Sequence, residues 1–335
     1  MTIKNPTISI VLCTYNSKGI IGKALNCMAS QESNGKFSYE ILVIDDGSTD
    51  GTEETVEKIA DNSPVAIRYS RTEGKGISHA RNRGISESRG NWIAFFDQDQ
   101  LADPTWLGEL FAVVSETGAY VVDGARDLLL PREPLSYLSS VCRRALGEIT
   151  ADRLEPYKRR GRTCSCTGNV LLNRKVFEEV GEFSESLLQG GEDWDFFRRV
   201  KSAGFDIWFA PKALVHHVIP PERLTERFFK WRFLQVGVNF AYRDYREWGL
   251  AGTAFACIAR IGQALLVNLP RLLWAYLTRD RASLLARKAL LWKSVGYTRK
   301  TFLLIAPGLF PQEHFFDRFE LRKEQEALTQ NSNLT

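Results

Sequence analysis

The sequence contains no uncharged apolar run of the roughly 18 residues that a membrane-spanning helix needs. The nearest approach, residues 251–277, is interrupted by Arg260, Pro270 and Arg271. Two interpretations of this stretch stay open: a segment packed in the core, or a helix lying along a membrane surface with its arginines directed toward headgroups. Several membrane-spanning helices are therefore not expected in this sequence.

Paired cysteines and a secretory leader are also missing. The six cysteines include no CxxC pair, and the lone Cys164-Ser165-Cys166 favours an incidental role over a metal site. The first residues, MTIKNPTISIVLC, lack an apolar stretch followed by a cleavage site, so we predict no secretory signal. Free thiols in a reducing cytoplasm are the expected setting.

Charge is mild in total and uneven along the chain. The net charge is +4, yet the stretch from Glu222 to Phe310 carries 15 basic and 5 acidic residues, a net +10. This stretch predicts an anionic partner, either lipid headgroups or nucleic acid. Since no nucleic-acid-binding module is recognisable, we expect peripheral contact of 222–310 with the inner face of the plasma membrane and no nucleic acid.

Strand and helix patterns alternate over the first hundred residues. Short β-branched runs, typical of buried strands, recur with helical spacing between them; they are ISIVLC, YEILVID, VAIRYSR and WIAFF. This alternation predicts an α/β domain in which crossover helices join parallel strands. Ligands bind such sheets at the carboxyl ends of the strands.

Polar residues stand at three of these strand ends. They are Thr14, Tyr15 and Asn16 after the first strand, Asp45 and Asp46 after the second, and Asp97 and Asp99 after the fourth. Each group alone is typical of a helix cap or a polar turn. Their coincidence at one edge of the sheet favours a shared ligand pocket.

The pair Asp97 and Asp99 has the chemistry of a cation site. Acids two apart on a strand face opposite sides, but in a turn just past the strand they can converge. Carboxylates together with phosphate oxygens suit Mg²⁺ or Mn²⁺. A solvated polar turn is the alternative.

A composition change after Pro221 predicts a domain boundary. Residues 1–221 form the expected first domain, with halves at 1–100 and 101–221. Residues 222–335 are expected to be helical, aromatic and basic. Their segment RFFKWRF, residues 227–233, is predicted either to meet a membrane interface or to dock on the core.

Six stretches together resemble the inverting family-2 glycosyltransferases of GT-A fold, over roughly residues 7–221. They are SIVLCTYN, EILVIDDGSTDGT, GISHARNRGI, WIAFFDQDQ, TGNVLLNRKVFEEVGEF and GGEDWDFFRRVKSAG. The resemblance implies a mixed sheet with helices on both faces, followed by a C-terminal helical extension. It also implies transfer from a nucleotide-diphosphate sugar, UDP by default, to an acceptor hydroxyl with inversion, using a divalent metal. The expected acceptor is a saccharide or lipid-linked saccharide in cell-surface polysaccharide or glycolipid assembly.

The resemblance also assigns donor-side residues. Asp46 would accept a hydrogen bond from the base, and Thr14 with Tyr15 would line the nucleoside pocket. Arg81 is the candidate diphosphate contact, the alternative being an ion pair with Asp97 or Asp46. Asp99 is the expected metal ligand, and Asp97 is expected to be shared between the metal and the ribose. The neighbouring Asp45 is predicted to cap the turn that follows it.

On the acceptor side, the resemblance assigns Asp193 as the catalytic base, with Glu192 second, and the alternative is that both only charge a helix start. Gly168 and Asn169 match an acceptor loop, and Trp194 would stack on a sugar or pack in the core.

A histidine after the last core strand is the expected third metal ligand. The motif matches His217, and because His216 faces the opposite way only one of the two should serve, unless the histidine is structural.

Two other functions remain open. A nucleotide-sugar-binding scaffold without activity would not need Asp99, Asp193 and His217. A nucleotidyltransferase would need a glycine-rich basic loop after the first strand, where this chain has CTYNSKG. The absence of a Gln-x-x-Arg-Trp element favours single or few sugar additions over polymerisation coupled to export.

Overall fold

The computed structural model describes residues 6–131, 138–150, 154–156, 167–187 and 191–307. The Cys164-Ser165-Cys166 motif lies outside these ranges. Clustering of the described residues gives two compact units, one comprising 6–127 and 149–218 and the other 128–148 and 219–307.

The described residues form nine strands and ten α-helices. The strands are β1 Ile8–Thr14, β2 Tyr39–Asp45, β3 Ile67–Arg71, β4 Trp92–Asp97, β5 Gln100–Ala102, β6 Val121–Leu129, β7 Glu155–Pro156, β8 Asn169–Asn173 and β9 Ile207–Val218. The helices are α1 Ile21–Ala29, α2 Thr52–Ala60, α3 Ile77–Glu87, α4 Trp106–Thr117, α5 Ser140–Ala145, α6 Arg174–Val180, α7 Glu192–Ser202, α8 Glu226–Gln263, α9 Leu269–Leu277 and α10 Arg281–Ile305. A 3₁₀ turn (Pro221–Leu224) precedes α8, and a π-helical segment (Ala264–Asn268) follows it.

The strands join in one mixed sheet of order β3-β2-β1-β4-β8-β6-β9-β5, with β7 pairing β9. The first four strands in this order pair parallel, as the strand–helix alternation predicts. The pairings β4–β8, β8–β6 and β9–β5 are antiparallel. The predicted mixed α/β sheet is confirmed.

Helices cover both faces of this sheet. Alternate residues of β1 point to opposite faces, so Ile10 and Leu12 join one buried cluster and Val11 the other. The first cluster takes residues from α1, α2 and α4, and the second takes residues from α3, α6 and α7. This two-sided burial accounts for the nearly continuous apolar runs of the central strands.

The second unit has its own core, built from α5, α8 and α10. Phe229 and Phe233 are buried there with Cys142 and Ala289. The aromatic residues of the 227–233 segment therefore pack inside this unit. The larger segment of this unit begins at Ile219, close to the predicted boundary. The unit also includes residues 128–148, which the sequence analysis had placed with the first domain.

Helix α8 reverses direction at Gly249, whose φ of 70° and ψ of −171° are not helical. Nη2 of Arg260 lies 3.4 Å from Oδ2 of Asp244. A continuous helix would separate two residues sixteen apart by about 24 Å. The two arms of α8 therefore fold back on each other.

The stretch Glu226–Leu277 contains an 18-residue window with a mean hydropathy of 1.6, of which 11% is buried. By length and composition alone, this stretch could cross a membrane. Several of its large apolar side chains are exposed, among them Phe255 at 77%, Leu266 at 80% and Trp274 at 70%. Thr253, Cys257 and Ala275 of the same stretch are buried, so 251–277 has one packed side and one exposed apolar side.

Candidate active site

The register of the parallel strands brings three polar strand ends side by side. Thr14 of β1 pairs with Asp45 of β2, and Cys13 pairs with Asp97 of β4. The predicted convergence of strand-end residues at one edge of the sheet is therefore present in the structure.

Gln98 joins two of these strand ends. Its Oε1 accepts hydrogen bonds from Thr14 Oγ1 at 2.5 Å and from the Tyr15 amide at 3.3 Å. The Thr14 hydroxyl also contacts Ser17. The middle residue of the Asp97-Gln98-Asp99 turn thus holds this turn against the end of β1.

The loops after β1 and β2 are also linked to each other. The Asn16 amide donates to Ser48 Oγ at 2.8 Å, and Asn16 Oδ1 accepts from the Thr49 amide at 2.9 Å. Asn16 has a φ of 44°, in the left-handed region that asparagine tolerates better than most residues. Two side-chain–backbone bonds fix this conformation.

Asp45 and Asp46 shape the loop that follows β2. Asp45 Oδ1 accepts from the Ser48 amide at 2.7 Å, and its Oδ2 accepts from the Tyr69 hydroxyl at 2.6 Å. The predicted capping role of Asp45 is confirmed. Asp46 accepts hydrogen bonds from Thr72 Oγ1 at 2.9 Å and from the Gly76 amide at 2.9 Å.

The two histidines face different partners. Nε2 of His217 lies 3.2 Å from Oδ2 of Asp99, whereas Nε2 of His216 lies 3.0 Å from Oδ1 of Asp103. Antiparallel pairing of β5 with β9 aligns Gln100 with His217 and so brings the histidine to the acidic turn. Of the two histidines, His217 is the one that contacts a predicted metal ligand.

The donor set at this point suits a divalent cation only in part. Asp99 supplies carboxylate oxygen and His217 supplies imidazole nitrogen, a combination that favours Mn²⁺ over Mg²⁺. The part of the chain that the structure describes contains no group of three converging His, Cys, Asp or Glu side chains. Cations that bind nucleotides often take their remaining ligands from phosphate and water, so the pair fits such an ion.

Asp97 is partly buried at the end of β4. Burial, reinforced by the charge of Asp99, raises the pKa of the Asp97 carboxyl, while Arg81, Arg126 and His217 act in the opposite direction.

Arg81 holds the two acids that begin α7. Its Nη1 donates to Glu192 Oε1 at 2.8 Å and to Asp193 Oδ1 at 2.9 Å, and the residue is only 7% exposed. Burial alone would lower the pKa of the guanidinium, but Asp193 and Glu192 outweigh it and raise this pKa. The alternative partners considered from the sequence, Asp97 and Asp46, are not its hydrogen-bonding partners. A direct diphosphate contact would compete with these two bonds.

The environment of Asp193 differs from that of Glu192. Asp193 also accepts bonds from Thr167, from the hydroxyl at 3.2 Å and from the amide at 3.3 Å. Burial raises the pKa of the Asp193 carboxyl to about 6, against the opposing charge of Arg81 and with support from Glu192. A carboxylate with a raised pKa is suited to accept a proton near neutral pH.

The structure corrects the expected role of Asn169. This residue is 0% exposed, its Nδ2 donates to the carbonyls of Ala125 and Ala213, and its Oδ1 accepts from Trp106 Nε1 at 2.7 Å. Every hydrogen-bonding atom of its amide is directed into the interior. Asn169 is therefore a structural anchor and does not face an acceptor.

Gly168 and Trp194 lie close to the acids. A Cβ at Gly168 would come within 2.2 Å of Asp97 Oδ2, so the absent side chain leaves room for this carboxylate. From the sequence, a group was expected to approach the Gly168 backbone closely, and the structure shows such an approach. The group is the Asp97 carboxylate. Trp194 is partly exposed, and Cζ of Arg198 lies 5.7 Å from its ring centroid.

Three site residues were missed by sequence reasoning: Gln98, Arg126 and Thr167. Gln98 and Thr167 act through hydrogen bonds, and Arg126 through its charge, on residues distant in sequence, for which no spacing rule exists. Only Gln98 carried a usable signal, since a glutamine between two turn acids at a strand end is well placed to bridge neighbouring loops.

Comparison with known proteins identifies the family. The family model "Glycosyl transferase family 2" matches residues 9–181, just over half of the chain, and "N-terminal domain of galactosyltransferase" matches residues 151–220. Glycosyltransferase AglE of Haloferax volcanii is 30% identical over 240 residues, 68% of this chain and 73% of its own. Succinoglycan biosynthesis protein ExoM of Rhizobium meliloti is 31% identical over 226 residues, 65% of this chain and 69% of its own.

Solved structures share the fold. Residues 1–349 of S. aureus TarS, in complex with UDP, superpose with a TM-score of 0.51 at 18% identity, covering 90% of this chain and 91% of that one. GalNAc-T7 with UDP, GalNAc and Mn²⁺ gives a TM-score of 0.50 at 19% identity, covering 64% of this chain and 44% of that one. The family match, the relatives and the shared fold together show that this chain is a glycosyltransferase and belongs to glycosyl transferase family 2.

Proposed function

We propose that the first unit transfers a sugar, with inversion, from a nucleoside diphosphate to an acceptor hydroxyl, and that Asp193 is the base. The observation that carries this assignment is the environment of Asp193, a largely buried carboxyl, 18% exposed, with a pKa raised to about 6 at the start of α7. The neighbouring Glu192 is the weaker candidate, because its carboxylate bonds the same Arg81 without any contact to Thr167.

In the proposed reaction, the acceptor hydroxyl gives its proton to Asp193 as its oxygen bonds to the anomeric carbon of the donor. The bond from that carbon to the diphosphate oxygen breaks, and the nucleoside diphosphate leaves with the electron pair. Attack opposite to the leaving group inverts the anomeric configuration. Arg81 and Thr167 hold the Asp193 carboxylate in place, so we assign both as positioning residues.

We place the donor at the edge formed by Thr14, Asp46 and Asp97. Two supports for a UDP-sugar come from fold relatives, since TarS 1–349 was solved in complex with UDP and with UDP-GlcNAc. Asp46 is already bonded to Thr72 and Gly76, so its proposed contact with the base would use remaining acceptor capacity. Tyr15, partly exposed beside this edge, completes the proposed nucleoside pocket.

We assign Asp99 and His217 as the residues that would hold a divalent cation, with Asp97 beside them. A cation there would stabilise the negative charge of the departing diphosphate. Mn²⁺ is the favoured ion, because imidazole is one of the two ligands and because GalNAc-T7 was solved with Mn²⁺.

For the acceptor, we propose a saccharide, free or lipid-linked, in the assembly of a cell-surface polysaccharide or glycolipid. Relatives support this, since one is named for succinoglycan biosynthesis and another is a chondroitin synthase of Escherichia coli. Trp194 is the aromatic residue that we place beside the acceptor.

We also propose that the exposed apolar side chains of the second unit, between Phe255 and Leu277, rest on a membrane surface at the cytoplasmic face. A groove of about 520 Å³ lined by Leu269, Leu273, Tyr276 and neighbouring apolar residues lies in the same region. The net charge of +10 over 222–310 would attract an anionic bilayer to this apolar surface.

The substitution Asp193→Asn tests the proposed reaction. We expect transfer to fall by at least about 100-fold, the lower range for loss of general base catalysis, with nucleotide affinity retained. The measurement is product formation in a screen of nucleotide sugars with added Mn²⁺, together with UDP binding by calorimetry.

Glu192→Gln is the matched control and should retain most of the activity. Normal turnover of Asp193→Asn would remove Asp193 as the base. No turnover of the wild-type chain with any nucleotide sugar would instead favour the scaffold function.

A further inference from the structure

Three basic side chains of the second unit surround one aromatic ring. From the Phe240 ring centroid, Cζ of Arg243 lies at 4.4 Å, Cζ of Arg260 at 5.8 Å and Nζ of Lys293 at 3.8 Å. Each distance is within the range of about 6 Å for a cation–π contact. The reversal at Gly249 and the packing of α10 against α8 bring these three charges together from distant positions in the sequence.

A single carboxylate neutralises part of this charge. Asp244 is 0% exposed, and it accepts hydrogen bonds from Arg243 at 2.8 Å, from the Tyr297 hydroxyl at 2.8 Å and from Arg260 at 3.4 Å. Lys293 forms no ion pair with any of the residues that the structure describes. Three cations and one anion leave an excess of two positive charges around Phe240.

Burial and the neighbouring positive charges both act on Lys293. Burial, reinforced by repulsion from Arg260 and Arg243, lowers the pKa of the Lys293 ammonium to about 8. Buried positive charges without a matching anion are unfavourable, so a site of this kind gains free energy when it binds an anion.

One hydrogen-bond donor of this basic group also has no acceptor among the described residues. Nε of Arg260 is buried and has no hydrogen-bond partner within the described part of the chain. The side chains of Arg243 and Arg260 are nevertheless 32% and 27% exposed, so the group can be reached from solvent. A guanidinium nitrogen without an acceptor, within a group that carries excess positive charge, is what an anion-binding site would use.

We propose that Arg243, Arg260 and Lys293 form a binding site for a phosphate group. Phosphate oxygens match the planar donor fork of arginine and the compact charge of lysine; a hydrogen phosphate dianion would neutralise both excess charges, and a phospholipid phosphodiester would neutralise one of them. Either the headgroup of an anionic phospholipid or a free phosphate supplies this chemistry. All residues of the site belong to the second unit.

Thermal unfolding of the full-length protein tests the site, with inorganic phosphate as the probe and chloride at equal ionic strength as the reference. We expect saturating phosphate to raise the Tm of the wild-type protein by at least about 2 °C. Lys293→Met should unfold at the same or a higher temperature in chloride, because repulsion is removed, and should lose most of the increment from phosphate.

Lys58→Met, which removes one exposed positive charge from α2 of the first unit, is the matched control and should keep the full increment. The proposal is overturned if phosphate raises the Tm of all three proteins equally, or if it leaves the wild-type Tm unchanged.

Co-sedimentation with vesicles separates the two sources of phosphate. If the site binds a lipid headgroup, the partitioning of Lys293→Met to vesicles containing phosphatidylglycerol should fall by more than about tenfold. Loss of one nonspecific surface charge would lower this partitioning only by roughly fivefold. Unchanged vesicle binding of this variant, together with a lost response to inorganic phosphate, would identify a soluble phosphate as the ligand.

Discussion

At the scale of single residues, Asp193 and Glu192 are adjacent carboxylates on one arginine with different surroundings. Glu192 has Arg81 as its hydrogen-bonding partner, whereas Asp193 is also bonded to Thr167. The pKa of the Asp193 carboxyl is nevertheless raised, because burial outweighs these favourable contacts. Two carboxylates at one helix start can therefore have separate tasks, one as a base and the other as part of its support.

The raised pKa of Asp193 predicts an acid limb in the pH profile. A base must be ionised to accept a proton, so kcat/KM should fall below about pH 6, to roughly a tenth of its plateau for each further pH unit. Measurement of kcat/KM between pH 4.5 and 8 with a fixed donor checks this.

Two variants assign that limb to Asp193. Glu192→Gln removes a charge that raises the Asp193 pKa, so the limb should move to lower pH; Thr167→Val removes a hydrogen bond that lowers it, so the limb should move to higher pH. A limb that stays in place in both variants would belong to another group.

Gly168 provides a second residue-scale prediction. In Gly168→Ala, the new Cβ would lie 2.2 Å from Asp97 Oδ2 and 2.6 Å from Gln100 Nε2, so these side chains must move. We expect kcat/KM to fall on the order of 100-fold, the usual cost of an ångström-scale misplacement in an active site, with little change in Tm. Gly19→Ala, where no atom lies within 4 Å of the added Cβ, should leave turnover unchanged.

At the scale of elements, the crossing of α8 and α10 depends on two glycines. A Cβ at Gly237 would lie 2.1 Å from the Lys293 carbonyl oxygen, and one at Gly296 would lie 2.1 Å from the Leu234 carbonyl oxygen. The nearest atoms are backbone atoms of the facing helix, so they can make room for a Cβ only if the two helices move apart.

Gly296→Ala should therefore destabilise the protein by about 1–3 kcal/mol, the usual cost of overpacking. Gly262→Ala, in the same helical region but with open space around the added Cβ, should stabilise by about 0.5–1 kcal/mol through helix propensity. Urea unfolding of the two variants measures both changes, and equal changes in midpoint would contradict the close crossing.

Strands and helices with a clear hydrophobic pattern were predictable from the sequence, whereas features that depend on contacts between distant residues were not. The strands that end at Thr14, Asp45 and Asp97 are short, nearly continuous apolar runs followed by turn residues, so the acidic edge followed directly. By contrast, the sequence around Arg81 shows its charge but not its direction, so its bonds to Glu192 and Asp193 were not predicted. The reversal at Gly249 was also missed, since a single glycine in a helical pattern does not reveal a φ of 70°.

At the scale of the whole molecule, the chain combines a family-2 catalytic unit with a helical unit of different surface character. Residues 128–148 belong to the helical unit although they interrupt the catalytic sequence. A truncation at Pro221 would remove α8 and α10, against which this segment packs, and would therefore disturb the fold. Substitutions are for this reason the better probe of membrane contact.

The double substitution Leu266→Gln with Trp274→Gln tests the apolar surface. These side chains are 80% and 70% exposed, so their replacement should leave the Tm nearly unchanged. If they insert into a bilayer, the variant should lose at least about 30-fold in partitioning to anionic vesicles, from about 1 kcal/mol or more for each side chain. Co-sedimentation measures this partitioning.

Ile20→Gln, which changes an apolar side chain 44% exposed on the first unit, is the control. Equal vesicle binding by the wild-type chain and the double variant would exclude this surface as the membrane contact.

The bridge made by Gln98 bears on how the enzyme would choose its donor. The side-chain oxygen of Gln98 bonds the acidic turn to the end of β1, and Asn16 bonds that end to the loop after β2. These hydrogen bonds tie the three loops to one another. A nucleotide of the wrong size could not be admitted by the yielding of one loop alone. Discrimination among donors should accordingly be steep, and Gln98 is the first position to alter when a different nucleotide is wanted.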